Sequence, residues 1–184
     1  MESKTTTQQI LKVLYIFSWI IFIGLCVEAG AIIFNAFFTL TINPLDVKYL
    51  WKEIDLSALY QSDPGHFFIE TLLISIVAIL KAYLFYLIVI ILHHNKLNLS
   101  QPFNKKVGSF IFKVSYLSFG IGLFSLSGAK YAAWLISQGI DMPDIQYLQL
   151  GGADVWLFMG ITLFVIAQIF KRGIEIQSEN ELTI

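Results

Sequence analysis

The chain has 184 residues, of which 57% are hydrophobic and only 14% are charged. Soluble domains carry about a quarter charged residues, so this deficit predicts a membrane protein. The net charge of -1 argues against direct nucleic-acid binding, which needs a basic surface. The single cysteine, Cys26, excludes an internal disulfide framework and a multi-cysteine metal site.

The first predicted membrane helix covers residues 10–40. Its apolar run is longer than the ~7–15 residues of a signal-peptide core, so we expect it to remain as a span. Because lipid offers no hydrogen bonds, a small and polar helix face is expected to contact other helices. On this helix that face carries Gly24, Glu28, Ala31 and Asn35.

The first outer loop follows Asn43-Pro44, which ends the helix. We predict a short amphipathic segment there, lying on the membrane surface or packed on the helix ends. Its apolar side would carry Val47, Leu50, Trp51 and Ile54. The turn formed by Ser62, Asp63, Pro64 and Gly65 then restarts the chain into a second helix.

The second predicted helix, residues 67–92, reads FFIETLLISIVAILKAYLFYLIVIIL and carries only two charges, Glu70 and Lys81. About 26 helical residues reach ~39 Å, enough to cross a ~30 Å hydrocarbon layer. Helical spacing places the two charged residues on one face. An ionisable group at this depth is costly and normally has a partner.

The third and fourth predicted helices cover residues 103–137 and 153–172. A seam of small residues on the third helix would let a neighbouring helix approach closely. The seam consists of Ser115, Ser118, Gly122, Ser125, Ala129 and Ala132. Lys171 and Arg172 mark the end of the fourth span, and residues 173–184 follow as an acidic, partly apolar tail. We expect the helix to continue past Arg172 into this tail, since Gly173 only weakens it.

These elements predict an all-α integral membrane protein, a single domain of residues 1–184 built as a four-transmembrane-helix bundle. The positive-inside rule then places both termini in the cytoplasm. One side of the membrane would hold only Lys48 and Lys52. The other would hold Lys4, Lys12, Lys96, Lys105, Lys106, Lys113, Lys171 and Arg172.

Charged residues within the spans are candidates for pairing. Glu28 lies about 12 residues and Lys81 about 14 residues from the outer helix ends, so both are ~18–21 Å deep. We therefore predict a Glu28–Lys81 pair, and a second pair between Glu70 and Lys130 in the outer third. Such pairs either fix the helix register or line a polar cavity that binds a ligand or proton.

No catalytic motif is present in the sequence. It has neither a phosphate-binding glycine loop nor a G-x-S-x-G nucleophile turn. His93 and His94 are adjacent, so on a helix they point ~100° apart and cannot share a metal as an i, i+4 pair could. We expect a non-enzymatic protein with no catalytic residues, no bound metal and no cofactor.

The C-terminal segment LFMGITLFVIAQIFKRGIEIQSENELTI resembles the end of a bacterial four-helix membrane family. That family is catalogued as domain of unknown function 2975 and includes the YoaS-like proteins. The likeness is carried by Ile169, Phe170, Lys171, Arg172, Gly173, Glu175, Glu179, Leu182, Thr183 and Ile184. A second likeness is Gln101-Pro102-Phe103-Asn104, although the family usually has glycine where this chain has Gln101.

The resemblance implies a multi-pass protein of the bacterial cytoplasmic (inner or plasma) membrane, and it assigns no catalytic residues. Family members are often encoded beside a small helix-turn-helix regulator of the Cro type, which suggests a membrane-bound regulator or sensor for such a partner. The acidic tail would then be the cytoplasmic docking surface. Its candidate residues are Lys171, Arg172, Glu175, Glu179, Glu181 and Leu182.

Two alternatives remain open at this point. The tail could instead pack against the loop after the second helix, with Glu175 or Glu179 meeting Lys105 or Lys106. The protein could also be a small-molecule or lipid-binding protein, or a transporter, that uses Glu28 and Lys81 in a polar intramembrane cavity.

Overall fold

The computed structural model of the chain describes residues 2–41, 54–93 and 104–181, and the regular elements in these ranges are all helices. They are α1 (Glu2–Thr41), α2 (Ser57–Ser62), α3 (Pro64–Leu92), α4 (Lys105–Ser137) and α5 (Ala153–Glu181). The four helices other than α2 are long and apolar enough to cross a membrane. The prediction of an all-α chain with four potential spans is confirmed.

Two helices extend further than the predicted spans. α1 begins at Glu2 rather than near residue 10, and α5 continues past Arg172, as expected, to Glu181. Lys, Arg, Glu and Gln all have good helix propensity, so these polar segments remain helical beyond their apolar runs. The tail predicted as residues 173–184 is therefore largely a continuation of α5.

The start of α3 is set by its capping residue, as the turn sequence predicts. The Asp63 carboxylate accepts hydrogen bonds from the backbone N–H groups of Gly65 and His66, and Pro64 occupies the first turn. These contacts satisfy N–H groups that have no partner within the helix. At α4 the Asn104 side chain has the same role and accepts from Val107 N at 2.9 Å.

The long helices pack in chain order as an antiparallel row, α1 on α3, α3 on α4 and α4 on α5. The rings of Phe22 and Tyr86 lie 5.7 Å apart between α1 and α3. His66 Nδ1 and Tyr131 Oη lie 2.6 Å apart between α3 and α4. The outer helices, α1 and α5, keep most of their surface exposed, as expected for faces that meet lipid.

This antiparallel order gives the row two distinct ends. We call the end that carries Lys12, Lys105, Lys106, Lys113, Lys171 and Arg172 the basic end. The opposite end, which carries Asp55, Asp63, Asp141 and Asp144, is the acidic end. The first described residue of α1 and the last of α5 both belong to the basic end, since four antiparallel spans return the chain to its starting side.

The small-residue seam of α4 forms the closest helix contact and confirms that prediction. Ser115, Ser118, Gly122 and Ser125 are all buried. The Ser115 hydroxyl donates to the Gly160 carbonyl of α5 at 2.9 Å. A Cβ placed on Gly122 would lie 3.0 Å from the Leu157 backbone nitrogen, so only glycine permits this approach.

On α1 the predicted contact face is shifted. Gly24 is exposed, and a Cβ at its position would have nothing within 4 Å, so its predicted contact with another helix is wrong. Glu28, Ala31 and Asn35 are half-buried at the edge of the contact. The fully packed positions are instead Ser18, Ala29, Ile32, Ala36 and Thr39. α3 thus meets a largely apolar stripe of α1 rather than its most polar one.

The predicted amphipathic segment of the first outer loop lies outside the described residues, except for its last member. That member, Ile54, is buried. It precedes α2, which packs on α3 and places the Tyr60 ring edge-on to Phe67 at 5.3 Å. The described part of this loop therefore packs its apolar side on the helix ends.

Candidate functional site

The connection between α4 and α5, residues 138–152, folds back into the helix row, and we call it the re-entrant loop. Leu148 and Leu150 are fully buried. The Leu150 side chain would lie 2.7 Å from a Cβ on Gly128. Gly128 lies nine residues before Ser137, the last residue of α4, which is about 13 Å along the helix at ~1.5 Å per residue. The loop therefore descends well below the end of α4.

Local backbone geometry supports this fold. Gln149 has a φ of 61°, and Gly139 and Gly152 have φ values of 85° and 73°. A positive φ is uncommon for a residue with a side chain and marks a tight reversal. The amides of Leu148 and Leu150 donate to the carbonyls of Asp144 and Ile145, each at 3.1 Å, so the loop partly satisfies its own backbone.

Lys81 joins the re-entrant loop to α3. Its ammonium donates a hydrogen bond to the Gln149 carbonyl at 2.9 Å. Lys81 lies about 25 Å along α3 from Pro64. The lysine side chain extends outward from there to the loop, which lies at the level of Gly128. Non-helical backbone below the helix ends persists only where the protein itself satisfies its polar groups, and a charged donor makes a strong bond. The chemical role visible for Lys81 is therefore to hold the loop carbonyl.

Glu28 lies at the level of Lys81, as predicted, but does not bind it directly. The contacts between α1 and α3 bring Glu28 within electrostatic range of the ammonium. No ion pair within 4 Å joins the two side chains in the described ranges, so the predicted direct pair is not formed. Helical side chains lean toward the N-terminus of their helix, which carries the lysine outward to Gln149.

Glu70 is also placed differently from the prediction. Its side chain is wholly buried, and neither carboxylate oxygen has a hydrogen-bond partner among the described residues. Lys130 is exposed, and no contact joins it to Glu70, so the second predicted pair is not formed either. α4 presents the neighbouring Tyr131 to α3 instead, because successive helical residues point ~100° apart.

Three rings gather one turn beyond Glu70, toward the acidic end. The His66 ring lies 5.9 Å from that of Tyr131 and 5.4 Å from that of Trp134, and the last two rings stack at 5.7 Å. The short His66–Tyr131 hydrogen bond fixes the register of α3 against α4. Burial of Glu70 follows from this packing, since the rings close the interface above it.

Ser125 is a second buried polar group that sequence reasoning assigned only to helix packing. Its hydroxyl has no hydrogen-bond partner among the described residues. From the His66–Tyr131 contact, Glu70 lies ~6 Å along α3 and Ser125 ~9 Å along α4, so their levels differ by only ~3 Å. Unpartnered oxygens thus occupy similar depths on two packed helices.

At the acidic end, a cavity of about 400 Å³ lies between the first outer loop and the re-entrant loop. Asp55, Asp141, Asp144 and Tyr147 are among its lining residues. Asp55 and Asp144 each accept a backbone N–H two residues ahead, at 2.9 and 2.8 Å. Two of these acids therefore shape their own turns, and the described residues contain no cluster suited to a metal ion.

At the basic end, the continuation of α5 has an inner and an outer face. Ile174 points inward, 3.3 Å from a Cβ on Gly108 of α4. Glu175 binds Arg172 at 3.1 Å rather than Lys105 or Lys106. Lys171, Ile176 and Glu179 are exposed. Of the predicted docking residues, the Glu181 side chain and Leu182 lie outside the part of the chain described at that level.

The re-entrant loop is the feature that sequence reasoning missed. Signals for it are nevertheless present, since Ile145, Leu148 and Leu150 are apolar and Gly151-Gly152 allows a sharp return into α5. Comparisons of the chain with models of known families, with curated proteins and with solved structures give no match. The functional interpretation therefore rests on the sequence resemblance and on the geometry of this chain.

Proposed function

We propose that the chain is a non-enzymatic multi-pass protein of the bacterial cytoplasmic membrane that senses or regulates for a small helix-turn-helix transcription factor. The observation that carries this proposal is the continuity of α5. It runs from the re-entrant loop at Ala153 to Glu181, over ~42 Å at ~1.5 Å per residue. One helix thus links the loop held by Lys81 to a surface beyond the opposite helix ends.

The orientation in this proposal follows from charge. Lysines and arginine crowd the basic end, and short loops rich in these residues stay in the cytoplasm. With the basic end inside, the re-entrant loop opens toward the outer side and the continuation of α5 projects into the cytoplasm. The molecule would then receive a signal on one side and present it on the other.

The outer face of the α5 continuation supports docking of a basic partner. Ile176 is an exposed apolar side chain outside the predicted span, and Glu179 lies within one turn of it on the same face. A DNA-binding domain is positively charged, so acidic residues around an apolar contact favour and orient its approach. The Arg172–Glu175 ion pair borders this face and stiffens the helix turn.

Lys81 offers a way to couple the two sides. Release of its hydrogen bond to Gln149 would free the loop that leads directly into α5. The loop would then have two states, one with the Lys81–Gln149 hydrogen bond and one without it. A signal shifts the balance between them only if it binds one state more tightly than the other. We propose that such a signal changes the position of α5 and hence the availability of its cytoplasmic face.

The test measures binding of a small helix-turn-helix protein of the Cro type, taken from the genes that flank this one, to the intact protein in lipid nanodiscs. We expect binding that weakens at least tenfold, ~1.4 kcal/mol, when Ile176→Glu and Glu179→Lys are combined. Gln61→Lys, at an exposed site of α2 at the acidic end, changes the net charge by the same amount, serves as the matched control and should leave binding unchanged. Absence of binding, or binding that survives deletion of residues 174–184, would reject the docking surface.

A second candidate function is binding or transport of a small molecule or lipid through a polar intramembrane site. The buried oxygens of Glu70 and Ser125, which lack partners among the described residues, favour it. The cavity at the acidic end and two grooves at the basic end are lined by residues other than Glu28, Glu70 and Lys81. A transport role would therefore need a site that opens around these three residues.

Proton flux provides the test of this second candidate. The protein is reconstituted in liposomes that contain a pH-sensitive dye, and a potassium gradient with valinomycin drives protons inward. Glu70→Gln should abolish any protein-dependent flux, and a Glu28→Leu, Lys81→Leu double variant should reduce it. Flux that is absent from the unchanged protein, or unaffected by these variants, would leave the buried residues with a structural role.

A further inference from the structure

A groove between α4 and α5 opens at the basic end. It has a volume of about 470 Å³. Its floor is apolar and is formed by Gly108, Phe112, Tyr116 and Ile174. Three lysines, Lys105, Lys113 and Lys171, stand among its lining residues. The groove therefore combines an apolar surface with positive charge at the level where helices leave a membrane.

A second groove lies on the other side of α4, against α3, with a volume of about 390 Å³. Its apolar wall is formed by Leu87, Ile90, Ile91 and Phe110. Lys105, Ser109 and Lys113 line both grooves. These three residues are spaced four apart, so they form one ridge along α4 with a groove on each side.

The acid that lines the first groove does not pair with the lysines of this ridge. Glu175 lines the first groove, but its carboxylate binds Arg172 at 3.1 Å. Lys105 also opens α4, where the helix dipole favours an anion. Lys113 lies about two turns, ~12 Å, deeper and leans toward the N-terminus of α4, so its ammonium extends toward the same surface.

We propose that this ridge binds one anionic diacyl phospholipid, with its phosphate at Lys105 and Lys113 and one acyl chain in each groove. Both grooves belong to spans that cross the bilayer, so acyl chains are the available apolar occupants. The lysines select among headgroups, as basic pockets on the cytoplasmic side of membrane helices do. The inference is independent of the proposed regulatory function, since it requires neither a protein partner nor the Lys81 contact.

The test is native mass spectrometry of the intact protein in detergent with phosphatidylglycerol or phosphatidylcholine of identical acyl chains. We expect phosphatidylglycerol to bind at least tenfold more tightly. Lys105→Gln with Lys113→Gln should reduce its affinity to that of phosphatidylcholine. The control removes the same charge at exposed sites off the ridge, with Lys12→Gln and Lys130→Gln, and should keep the preference.

A groove-filling variant tests the acyl chains separately from the lysines. Gly108→Leu leaves every lysine in place but occupies the floor beside Ile174, and it should weaken phosphatidylglycerol at least fivefold. Glycerol phosphate, which lacks acyl chains, should not compete. Equal affinity for the two lipids, retention of the preference in the double lysine variant, or full competition by glycerol phosphate would each overturn the proposal.

Discussion

Replacement of Gly122 by alanine probes the close approach of α4 and α5. A Cβ there would lie 2.7 and 2.8 Å from the Leu157 side chain and 3.0 Å from the Leu157 backbone nitrogen. The side chain could rotate away, but the backbone could not. α5 would therefore have to move outward, which would strain the Ser115–Gly160 hydrogen bond in the same interface.

The size of the effect follows from two opposing terms. Overpacking of a tight contact costs ~1–3 kcal/mol, whereas glycine to alanine within a helix gains ~1 kcal/mol of helix propensity. Gly24→Ala and Gly30→Ala provide matched controls, since nothing lies within 4 Å of a Cβ at either position. All three substitutions gain the same helix propensity. The difference in free energy of unfolding between these controls and Gly122→Ala is therefore the packing cost, ~1–3 kcal/mol.

The assay is reversible unfolding in mixed micelles as the sodium dodecyl sulfate fraction rises, followed by far-ultraviolet circular dichroism. Gly122→Ala should have a lower free energy of unfolding than either control variant. If all three alanine variants unfold at the same detergent fraction, the close approach of α5 to the α4 seam is refuted.

The same unfolding assay checks three further predictions. Ser115→Ala should lower the free energy of unfolding by ~0.6 kcal/mol, the average for hydrogen bonds between membrane helices, and no loss would place Gly160 elsewhere. Glu70→Leu should raise stability by ~1–3 kcal/mol, since it removes a buried polar group that lacks a partner among the described residues, and a loss would reveal a missed partner. Asp63→Ala should cost ~1 kcal/mol through loss of the α3 cap, whereas Asp154→Ala, at an exposed site in the first turn of α5, should cost less.

The four long helices could be predicted because lipid imposes a simple requirement on length and hydrophobicity. The seam on α4 could also be predicted, because small residues at alternating spacings of three and four form a face that another helix can approach closely. These features depend on the local sequence. The buried Ser115 and Gly122 confirm the contact face of α4 that their spacing predicts.

The partners of the buried charges could not be predicted in the same way. Counting residues along the helices correctly placed Glu28 and Lys81 at one level. Which group Lys81 binds depends instead on the direction in which its side chain points from α3. The partner of Lys81 is the backbone carbonyl of Gln149. Every residue has such a carbonyl, so the sequence does not indicate which one accepts the bond. The predicted partner of Glu70, Lys130, is exposed. The next residue of α4, Tyr131, faces α3 in its place.

The re-entrant loop depends on tertiary contacts that short-range patterns do not encode. Leu150 fills space that Gly128 leaves open, although the two are far apart in the chain. Two acids, Asp141 and Asp144, and the absence of lysine or arginine make the segment resemble a solvated outer loop. Burial of Leu148 and Leu150 outweighs that polar character, because their apolar surface is removed from water and from lipid headgroups.

Hydrogen exchange of the re-entrant loop tests the central structural claim most directly. The intact protein is placed in lipid nanodiscs, and mass spectrometry follows deuterium uptake in residues 145–152. The buried loop predicts slow exchange at the Leu148 and Leu150 amides, with faster exchange in Lys81→Met, where the Gln149 carbonyl loses its donor. Complete exchange of this segment within seconds in the unchanged protein would contradict a buried loop whose Gln149 carbonyl is held by Lys81.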